Sequence, residues 1–145
     1  MKKYKIGYTQ GVYDMFHIGH LNLINRAKEQ CDHLIVGVNS DELVKSYKNK
    51  ETVIKAQERA EIVLNLKAVD ECIIVNTLDK MTLCQQLGFD AIFIGDDWYG
   101  NPRWMQTKED LEKIGVDVVF LPHTDGVSST ILRLLNDNKI EEKAL

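Results

Sequence analysis

The apolar residues of this 145-residue chain follow two alternating patterns. Short runs rich in Val and Ile, with little polar alternation, predict strands that are buried on both faces, at residues 6–9, 34–38, 72–75, 91–94 and 118–121. Between these runs, apolar residues recur at the spacing of one helix face. That spacing is clear at 21–27 and 60–66 and weaker at 79–87, 107–113 and 129–136.

The repetition of strand and helix indicates the architecture of the domain. It predicts an α/β fold, a Rossmann-like, doubly wound parallel sheet of about five strands with helices on both faces. No linker, low-complexity tract or internal repeat interrupts the pattern, so residues 1–137 are expected to form one domain. The polar residues 138–145 are expected to be a frayed tail or a partner-binding extension.

Composition argues against several classes of protein. Eighteen Lys and Arg against 22 Asp and Glu give a net charge of −4. This balance disfavours a broad basic surface for nucleic acid or anionic lipid but leaves room for a small basic pocket. Three cysteines without a C-x-x-C pair indicate neither a disulfide framework nor a cysteine zinc site. No apolar run approaches the roughly 18 residues of a membrane span, so we expect a cytoplasmic protein.

In a sheet of this kind, ligands bind beyond the carboxyl ends of the strands, where the strand order switches. The usual phosphate-binding fingerprints are missing from those loops, because the chain contains neither a G-x-G string nor a Gly-Lys pair. A nucleotide would therefore have to be bound by other groups.

The loop after the first predicted strand is rich in candidate chemistry. His17 and His20 lie three residues apart, on one side of the first turn of a predicted helix. Partial positive charge and free backbone N–H groups at this position favour an anion. Gly19 removes a side chain between the imidazoles, and Gly11 lets a ligand approach the backbone. The alternatives are a packed or solvated histidine pair, or a metal site, for which no third ligand lies at a suitable spacing.

Two later loops also carry polar groups that could bind a ligand. Asp96 and Asp97, followed by Trp98, are compatible with a metal site, with a loop that simply ends a strand, or with acceptors for a base that stacks on the indole. Residues 128–130 are Ser-Ser-Thr at the start of a predicted helix. A hydroxyl group there is either an N-cap or part of a phosphate cradle.

These segments together resemble one family. Residues 11–20 are similar to the lead-in and H-x-G-H signature of the cytidylyltransferases, in the nucleotidyltransferase superfamily. Residues 95–98, Gly-Asp-Asp-Trp, resemble the glycerol-3-phosphate branch of that family. Residues 123–130 resemble its Arg-Thr-x-Gly-x-Ser-Thr-Thr signature, with His123 in place of Arg and Ser129 in place of Thr. The H-x-G-H string also matches class I aminoacyl-tRNA synthetases, for which this chain is too short.

The resemblance implies a role for each candidate residue. His17 and His20 would contact the nucleotide phosphates, while Lys48 and Lys50, otherwise ordinary solvated lysines, would neutralise the two substrates; these four are the catalytic candidates. The acceptor phosphate would be bound by Lys48, Arg59 and Lys80. The nucleotide would be held by Gly11, Val12, Tyr13, Asp14, Gly19, Asp96, Asp97, Trp98, His123, Thr124, Gly126, Val127, Ser128, Ser129 and Thr130. A neutral histidine cannot replace a guanidinium fork, so His123 removes one expected phosphate contact.

The implied reaction transfers a cytidylyl group from CTP to an alcohol phosphate, most closely glycerol-3-phosphate. It would give CDP-glycerol and pyrophosphate, for a cell-wall or capsular polymer. Mg²⁺ is expected to arrive with CTP, and the family implies a homodimer without nucleic-acid or membrane partners. The alternatives are another acceptor, such as ethanolamine phosphate or another polyol phosphate, adenylyl transfer to a sugar phosphate, and a nucleotide-binding regulator without catalysis.

Overall fold

The strands and helices predicted before residue 125 form in the order expected. A computed structural model describes residues 2–124. The strands are β1 (Tyr4–Gly11), β2 (Cys31–Asn39), β3 (Glu71–Val75), β4 (Ala91–Gly95) and β5 (Asp117–Leu121). The helices are α1 (Ile18–Glu29), α2 (Asp41–Lys48), α3 (Ala56–Leu64), α4 (Lys80–Leu87) and α5 (Pro102–Lys113), with a single 3₁₀ turn at Asp96–Trp98. All five predicted strands form, but burial on both faces is not complete: the edge strands β3 and β5 each have partly or largely exposed residues, among them Ile74 at 42%.

The sheet is parallel throughout and doubly wound, as the sequence predicts. The strand order is β3-β2-β1-β4-β5, so the chain first builds outward from β1 and then returns to its other side. The switch in order lies between β1 and β4, where Tyr8 pairs with Ile92. The carboxyl ends of these two strands are therefore the expected place for a ligand.

Helices cover both faces of the sheet and form two core layers. On one face, Ile24 of α1 and Val63 of α3 are fully buried against the sheet. On the other face, Leu83 of α4 and Leu111 of α5 pack around Tyr8. Each buried aliphatic side chain contributes roughly 1.5–3 kcal/mol. Because β1, β2, β3 and β4 each lead into a helix at the same edge, helix N-termini reach that edge from both faces.

One helix begins earlier than its apolar periodicity predicts. Helix α5 starts at Pro102, five residues before the predicted start at Thr107. The side chain of Asn101 accepts hydrogen bonds from the backbone N–H groups of Arg103 (3.0 Å) and Trp104 (3.2 Å). An Asn cap followed by Pro in the first turn is a strong start signal, and it outweighs the weak amphipathic pattern.

Some predictions fall beyond the part of the chain that the structure describes. The helix predicted at 129–136 and the tail at 138–145 lie outside residues 2–124. Within those residues, no helix is long and apolar enough to cross a membrane.

Candidate active site

A cleft of about 750 Å³ opens at the carboxyl edge of the sheet, over the switch point between β1 and β4. Its lining comes from the ends of β1, β2 and β4 and from the first turns of α1, α4 and α5. The predicted site residues that the structure brings together in this cleft are Gly11, Val12, Tyr13, Asp14, His17, Gly19, His20, Lys48, Lys50, Lys80, Asp97, Trp98, His123 and Thr124. The predicted residues Gly126, Val127, Ser128, Ser129 and Thr130 lie outside the described residues.

The two histidines form a reciprocal cap on α1. Nδ1 of His17 accepts a hydrogen bond from the backbone N–H of Gly19 (3.1 Å). Nδ1 of His20 accepts one from the backbone N–H of His17 (3.2 Å). The imidazole rings stack with their centroids 3.8 Å apart. Because both Nδ1 atoms accept, each neutral ring carries its proton on Nε2, which leaves two N–H donors for a ligand in the cleft.

The surroundings of the histidines keep both rings neutral near pH 7. Burial lowers the pKa of His17 below its usual value. Burial also lowers the pKa of His20 to about 4, assisted by the neighbouring His17 and Lys48 and opposed by Asp14. The pair therefore offers hydrogen-bond donors rather than two positive charges. An anion arriving beside them would raise both pKa values, since an opposite charge favours the protonated form.

The Asp14 carboxylate accepts hydrogen bonds from the protein backbone. The residue is 3% exposed, and the bonds come from the backbone N–H groups of Val53 (2.8 Å) and Ile54 (2.9 Å). Tyr13, just before it, is buried with a positive φ of 55°, which turns the chain toward this loop. The lead-in to the histidines thus anchors the segment between α2 and α3.

Arg59, which the sequence predicts to bind the acceptor phosphate, lies behind the cleft wall and is not part of the cleft lining. The residue is 1% exposed. Its Nε–H donates to the carbonyl of Ile54 (2.7 Å), and Nη1 donates to the carbonyls of Val12 (2.6 Å) and Asn39 (2.8 Å). Nη2 donates to the carboxylate of Asp41 (2.7 Å). These four bonds use most of the five guanidinium N–H donors and join the ends of β1 and β2 to the start of α3.

Two lysines approach the cleft from the end of α2. Asn49 ends this helix in the left-handed conformation, with a φ of 52°, so Lys48 and Lys50 stand on either side of a turn. Both side chains line the cleft and are exposed. The Nζ of Lys48 lies 5.9 Å from the centroid of the Tyr47 ring. The pair brings positive charge to the cleft wall at the end of α2.

A contact between His123 and Asp96 joins the loop after β4 to the loop after β5. Nδ1 of His123 contacts the Asp96 carboxylate, which also accepts from the backbone N–H of His123 (3.2 Å). The hydrogen bond from His123 lowers the pKa of Asp96. Asp96 lies outside the cleft lining, whereas Asp97 and His123 line it. Among residues 2–124, these three side chains form a group whose possible metal-ligand atoms lie within 4.8 Å of one another, and all three are exposed.

Helix α1 positions the first residues of the loop after β5. Asn22 donates from Nδ2 to the hydroxyl oxygen of Thr124 (3.0 Å). Arg26 donates from Nη1 to the carbonyl of Pro122 (2.8 Å). The helix that carries the histidines therefore also holds the loop that leads into residues 125–130.

The cleft also contains residues that the sequence did not predict. Arg103 and Trp104 line it from the first turn of α5, beside Asn101. They were missed because the weak periodicity placed the start of this helix at Thr107. The Asn-Pro pair at 101–102 was the signal that could have revealed them.

A buried polar network is a second unpredicted feature. Gln10 donates from Nε2 to the side-chain oxygen of Asn39 (2.8 Å), and Asn39 donates to the hydroxyl of Tyr47 (3.0 Å). The hydroxyl of Tyr8 donates to Gln10 (2.7 Å), so the network begins in the core and ends at the cleft. Since the Tyr47 oxygen already accepts, its proton is available to a ligand.

Lys80 reaches the cleft as an unusually buried lysine. It is 8% exposed, and its Nζ donates to the carbonyl of Leu78 (3.0 Å) and lies 5.2 Å from the centroid of the Trp104 ring. Burial lowers the pKa of Lys80 to about 8; the nearby charge of Arg103 acts in the same direction and Asp79 opposes it. The predicted acceptor-side lysine is therefore partly dehydrated before any ligand binds.

Residues 8–135 match the family described as cytidylyltransferase-like. A glycerol-3-phosphate cytidylyltransferase of Bacillus spizizenii is 36% identical over 126 residues, which cover 86% of this chain and 92% of that protein. An FAD synthase of Thermococcus kodakarensis is 37% identical over 117 residues, covering 78% of this chain and 76% of the relative. Among solved structures, a lipopolysaccharide core biosynthesis protein from Thermoplasma volcanium superposes with a TM-score of 0.72 at 25% identity, over 84% of this chain and 99% of that one.

Proposed function

The chain belongs to the cytidylyltransferase-like family, and from this premise we propose that it transfers a cytidylyl group from CTP to an alcohol phosphate. Glycerol-3-phosphate is the acceptor we favour, with CDP-glycerol and pyrophosphate as products for a cell-wall or capsular polymer. The observation that carries the proposal is the stacked, neutral pair His17 and His20, whose Nδ1 atoms are both acceptors in a cleft that lysines also line.

The proposed chemistry needs positioning and charge neutralisation more than proton abstraction. An oxygen of the acceptor phosphate attacks the α-phosphorus of CTP in line, and the bond from that phosphorus to the bridging oxygen of pyrophosphate breaks. The acceptor oxygen is already anionic at neutral pH, so no strong base is required. The Nε2–H groups of His17 and His20 donate to phosphate oxygens as negative charge moves toward pyrophosphate. Lys48 and Lys50 reduce the repulsion between the two anionic substrates.

Support for cytosine as the base comes from the loop after β4 and from one relative. Asp97 and Trp98 line the cleft, where a carboxylate can accept from the exocyclic amine of cytosine and the half-exposed indole offers a stacking face. The relative in Bacillus spizizenii is a cytidylyltransferase that this chain matches over 92% of its length. Residues 126–130 belong to the same proposal as nucleotide-binding residues.

Mg²⁺ is expected to arrive with the nucleotide. Magnesium prefers oxygen ligands and keeps several waters, whereas Asp96 is engaged by His123 and the third member of that group is an imidazole. Asp97 is the carboxylate of this group that lines the cleft. The residues present therefore do not fit a closed protein cage for Mg²⁺, and the proposed steps use only side chains of the chain.

A homodimer and a cytoplasmic location are part of the same proposal. Exposed apolar side chains support the dimer: Ile62 and Leu64 of α3 are 43% and 51% exposed, and Ile74 of the edge strand β3 is 42% exposed. An uncovered group of this kind near a sheet edge favours contact with a second copy. Sedimentation equilibrium at two protein concentrations tests the dimer directly.

The match to an FAD synthase keeps adenylyl transfer as a second candidate function. The lead-in Gly-Val-Tyr-Asp at residues 11–14 also leaves ethanolamine phosphate as an alternative acceptor. Pyrophosphate release separates these readings when CTP and ATP are each combined with glycerol-3-phosphate, ethanolamine phosphate, a sugar phosphate and a flavin phosphate. We expect turnover with CTP and glycerol-3-phosphate. Turnover only with ATP, or nucleotide binding without turnover in any combination, would contradict the proposal.

A further inference from the structure

The cleft has a second cationic region, on the face of the sheet opposite the histidines. The first turns of α4 and α5 meet there and bring Lys80, Arg103 and Trp104 to the same part of the lining. His17 and His20 approach from α1, on the other face. The two groups of ligand-binding side chains therefore reach the switch point from opposite sides of the sheet.

Lys80 and Arg103 lie near each other without a carboxylate between them. The charge of Arg103 acts to lower the pKa of Lys80, and also that of Tyr47, whose pKa burial raises. Within residues 2–124, neither Lys80 nor Arg103 has an acidic side chain within 4.0 Å. Two cations held close together, one of them buried, are an unfavourable arrangement that a bound anion would relieve.

Asp79, the acidic residue next to Lys80 in the chain, is used for other contacts. The carboxylate of Asp79 accepts from the backbone N–H groups of Met81 (3.1 Å) and Thr82 (3.3 Å) and from the Thr82 hydroxyl (2.9 Å). The other carboxylates in the cleft lining, Asp14, Glu51 and Asp97, belong to the loops after β1, α2 and β4, and none contributes to the shifted pKa of Lys80.

The helix ends themselves are closed to a ligand at this position. Asp79 caps α4, and the side chain of Asn101 caps α5 by accepting from two backbone N–H groups. An anion there would therefore be bound by side chains, namely Nζ of Lys80, the guanidinium of Arg103 and the free proton of the Tyr47 hydroxyl. The Trp104 ring forms an apolar wall beside Lys80.

We infer that Arg103 determines acceptor specificity: with Lys80, it binds the phosphate of the acceptor and rejects acceptors that carry a positive charge. The inference rests on the proposed transfer to an alcohol phosphate and deepens it. A neutral polyol phosphate satisfies both cations, whereas the ammonium group of an amino-alcohol phosphate would be repelled by the same pair. Polyol phosphates, glycerol-3-phosphate among them, are thus the acceptor class that this region favours over ethanolamine phosphate.

The test compares the wild-type protein with Arg103→Gln and Arg103→Lys, using Lys113→Gln as the matched control. Lys113 lies at the other end of α5, so its replacement removes the same charge from the same helix away from the cleft. We expect Arg103→Gln to raise the KM for glycerol-3-phosphate about tenfold or more, the size of one lost charge-assisted hydrogen bond. The KM for CTP should stay within about twofold, and Arg103→Lys should recover part of the loss.

Specificity supplies a readout that a purely structural role of Arg103 would not change. The ratio of kcat/KM for glycerol-3-phosphate to that for ethanolamine phosphate should fall in Arg103→Gln and stay unchanged in Lys113→Gln. An acceptor KM and a specificity ratio in Arg103→Gln that both match the wild type would overturn the inference.

Calorimetric titration of glycerol-3-phosphate, with and without a non-hydrolysable CTP analogue, separates this inference from the proposed function. Binding that depends on Arg103 in a protein without CTP turnover would refute the proposed function and support the anion subsite. Absence of acceptor binding to the wild-type protein in both titrations would refute the subsite, even if CTP turnover is observed with another acceptor.

Discussion

His17 and His20 cap each other across the first turn of α1, and each ring accepts a backbone hydrogen bond through Nδ1. The same two contacts that start the helix also fix the tautomer, because an accepting Nδ1 places the proton of a neutral ring on Nε2. In the proposed mechanism, one nitrogen of each ring caps the helix and the other donates to the ligand. Because capping uses Nδ1 and donation to the ligand would use Nε2, substitutions can test the two roles separately.

Replacing each histidine by Asn should slow catalysis while preserving the cap. The amide oxygen of Asn can accept the backbone hydrogen bond in place of Nδ1 at either position, and Asn is a favourable N-cap residue at position 17, but no group replaces the Nε2–H donor. We expect kcat to fall about 10²–10³-fold in His17→Asn and in His20→Asn, as for other lost donors to a developing charge. Stopped assays of pyrophosphate release measure this fall, and thermal unfolding checks the fold.

The matched variants are His17→Gln and His20→Gln, whose longer amide can reach the Nε2 position. Both should retain more activity than the Asn variants. His17→Gln should also unfold at a lower temperature than His17→Asn, because Gln is a poor N-cap residue, whereas Gln is favoured at position 20, three residues after the N-cap. If both Asn variants kept kcat within a few-fold of the wild type, the histidines would have only a structural role.

Acidification should destabilise the protein through His20. The pKa of His20 is about 4 in the folded state, below its usual value of 6.5, so the unfolded chain binds more protons between these two pH values. The free energy of unfolding should therefore fall as the pH decreases from about 6.5 to about 4, and this contribution should be fully present above that range. Urea unfolding of the wild type and His20→Asn at pH 7.5 and pH 4.5 measures the difference.

The comparison between these two proteins isolates His20, because their carboxylates titrate alike. His20→Asn should lose less stability than the wild type over the same interval. An equal loss in both proteins would show that His20 is not kept neutral by burial.

The sequence predicted the sheet well because short apolar runs without polar alternation are typical of strands in a parallel sheet. Five such runs marked five strands, although the edge strands β3 and β5 are only partly buried, and the short loop from β1 into α1 placed both histidines at the switch point. Residues close together in one loop could be assigned to the cleft because their spacing and the start of the helix are local properties.

Long-range contacts were not predictable in the same way. Arg59 resembles a phosphate-binding arginine in sequence, but its guanidinium group donates hydrogen bonds to distant backbone carbonyls. Asn39 is 20 residues before it in the chain, and Val12 is 47 residues before it. The contact of Lys80 with Trp104 joins two helices that the pattern alone did not place side by side. The pairing of donors with acceptors depends on how the helices and strands pack. Only the structure therefore distinguishes a cationic side chain that faces the cleft from one that is hydrogen-bonded to the backbone behind it.

Replacing Arg59 should damage stability first and activity as a consequence. Arg59→Ala leaves one buried and two half-buried carbonyls without this donor, while the Asp41 carboxylate keeps its bonds from Thr52 and Ala56. We expect the free energy of unfolding to fall by about 3–5 kcal/mol, at roughly 1–3 kcal/mol for each carbonyl left unsatisfied. Equilibrium unfolding in urea measures this loss.

Arg59→Lys is the informative control, because it keeps the charge but cannot make four divergent hydrogen bonds. Arg59→Lys should lose less stability than Arg59→Ala. In both variants the activity should fall only in proportion to the unfolded fraction, and the KM for the acceptor should stay near the wild-type value. A stable Arg59→Lys protein with a selectively raised acceptor KM would instead restore the role predicted from the sequence.

Replacing His123 by Arg should strengthen nucleotide binding. His123 occupies the position where the family signature has Arg, and it pairs with Asp96 at the mouth of the cleft. A guanidinium can keep that carboxylate contact and still offer further N–H donors to a phosphate, which a single imidazole cannot do. We expect the Kd for CTP to decrease several-fold in His123→Arg and to increase in His123→Ala, as measured by calorimetric titration.

Asp96→Ala provides the control for this contact. If His123 acts mainly by joining the two loops, Asp96→Ala should weaken CTP binding as much as His123→Ala, because both variants remove the same contact. If His123 contacts the nucleotide itself, the Kd for CTP should rise more in His123→Ala than in Asp96→Ala. Weaker CTP binding by His123→Arg would contradict this prediction and would show that the cleft fits the smaller imidazole ring better than a guanidinium group.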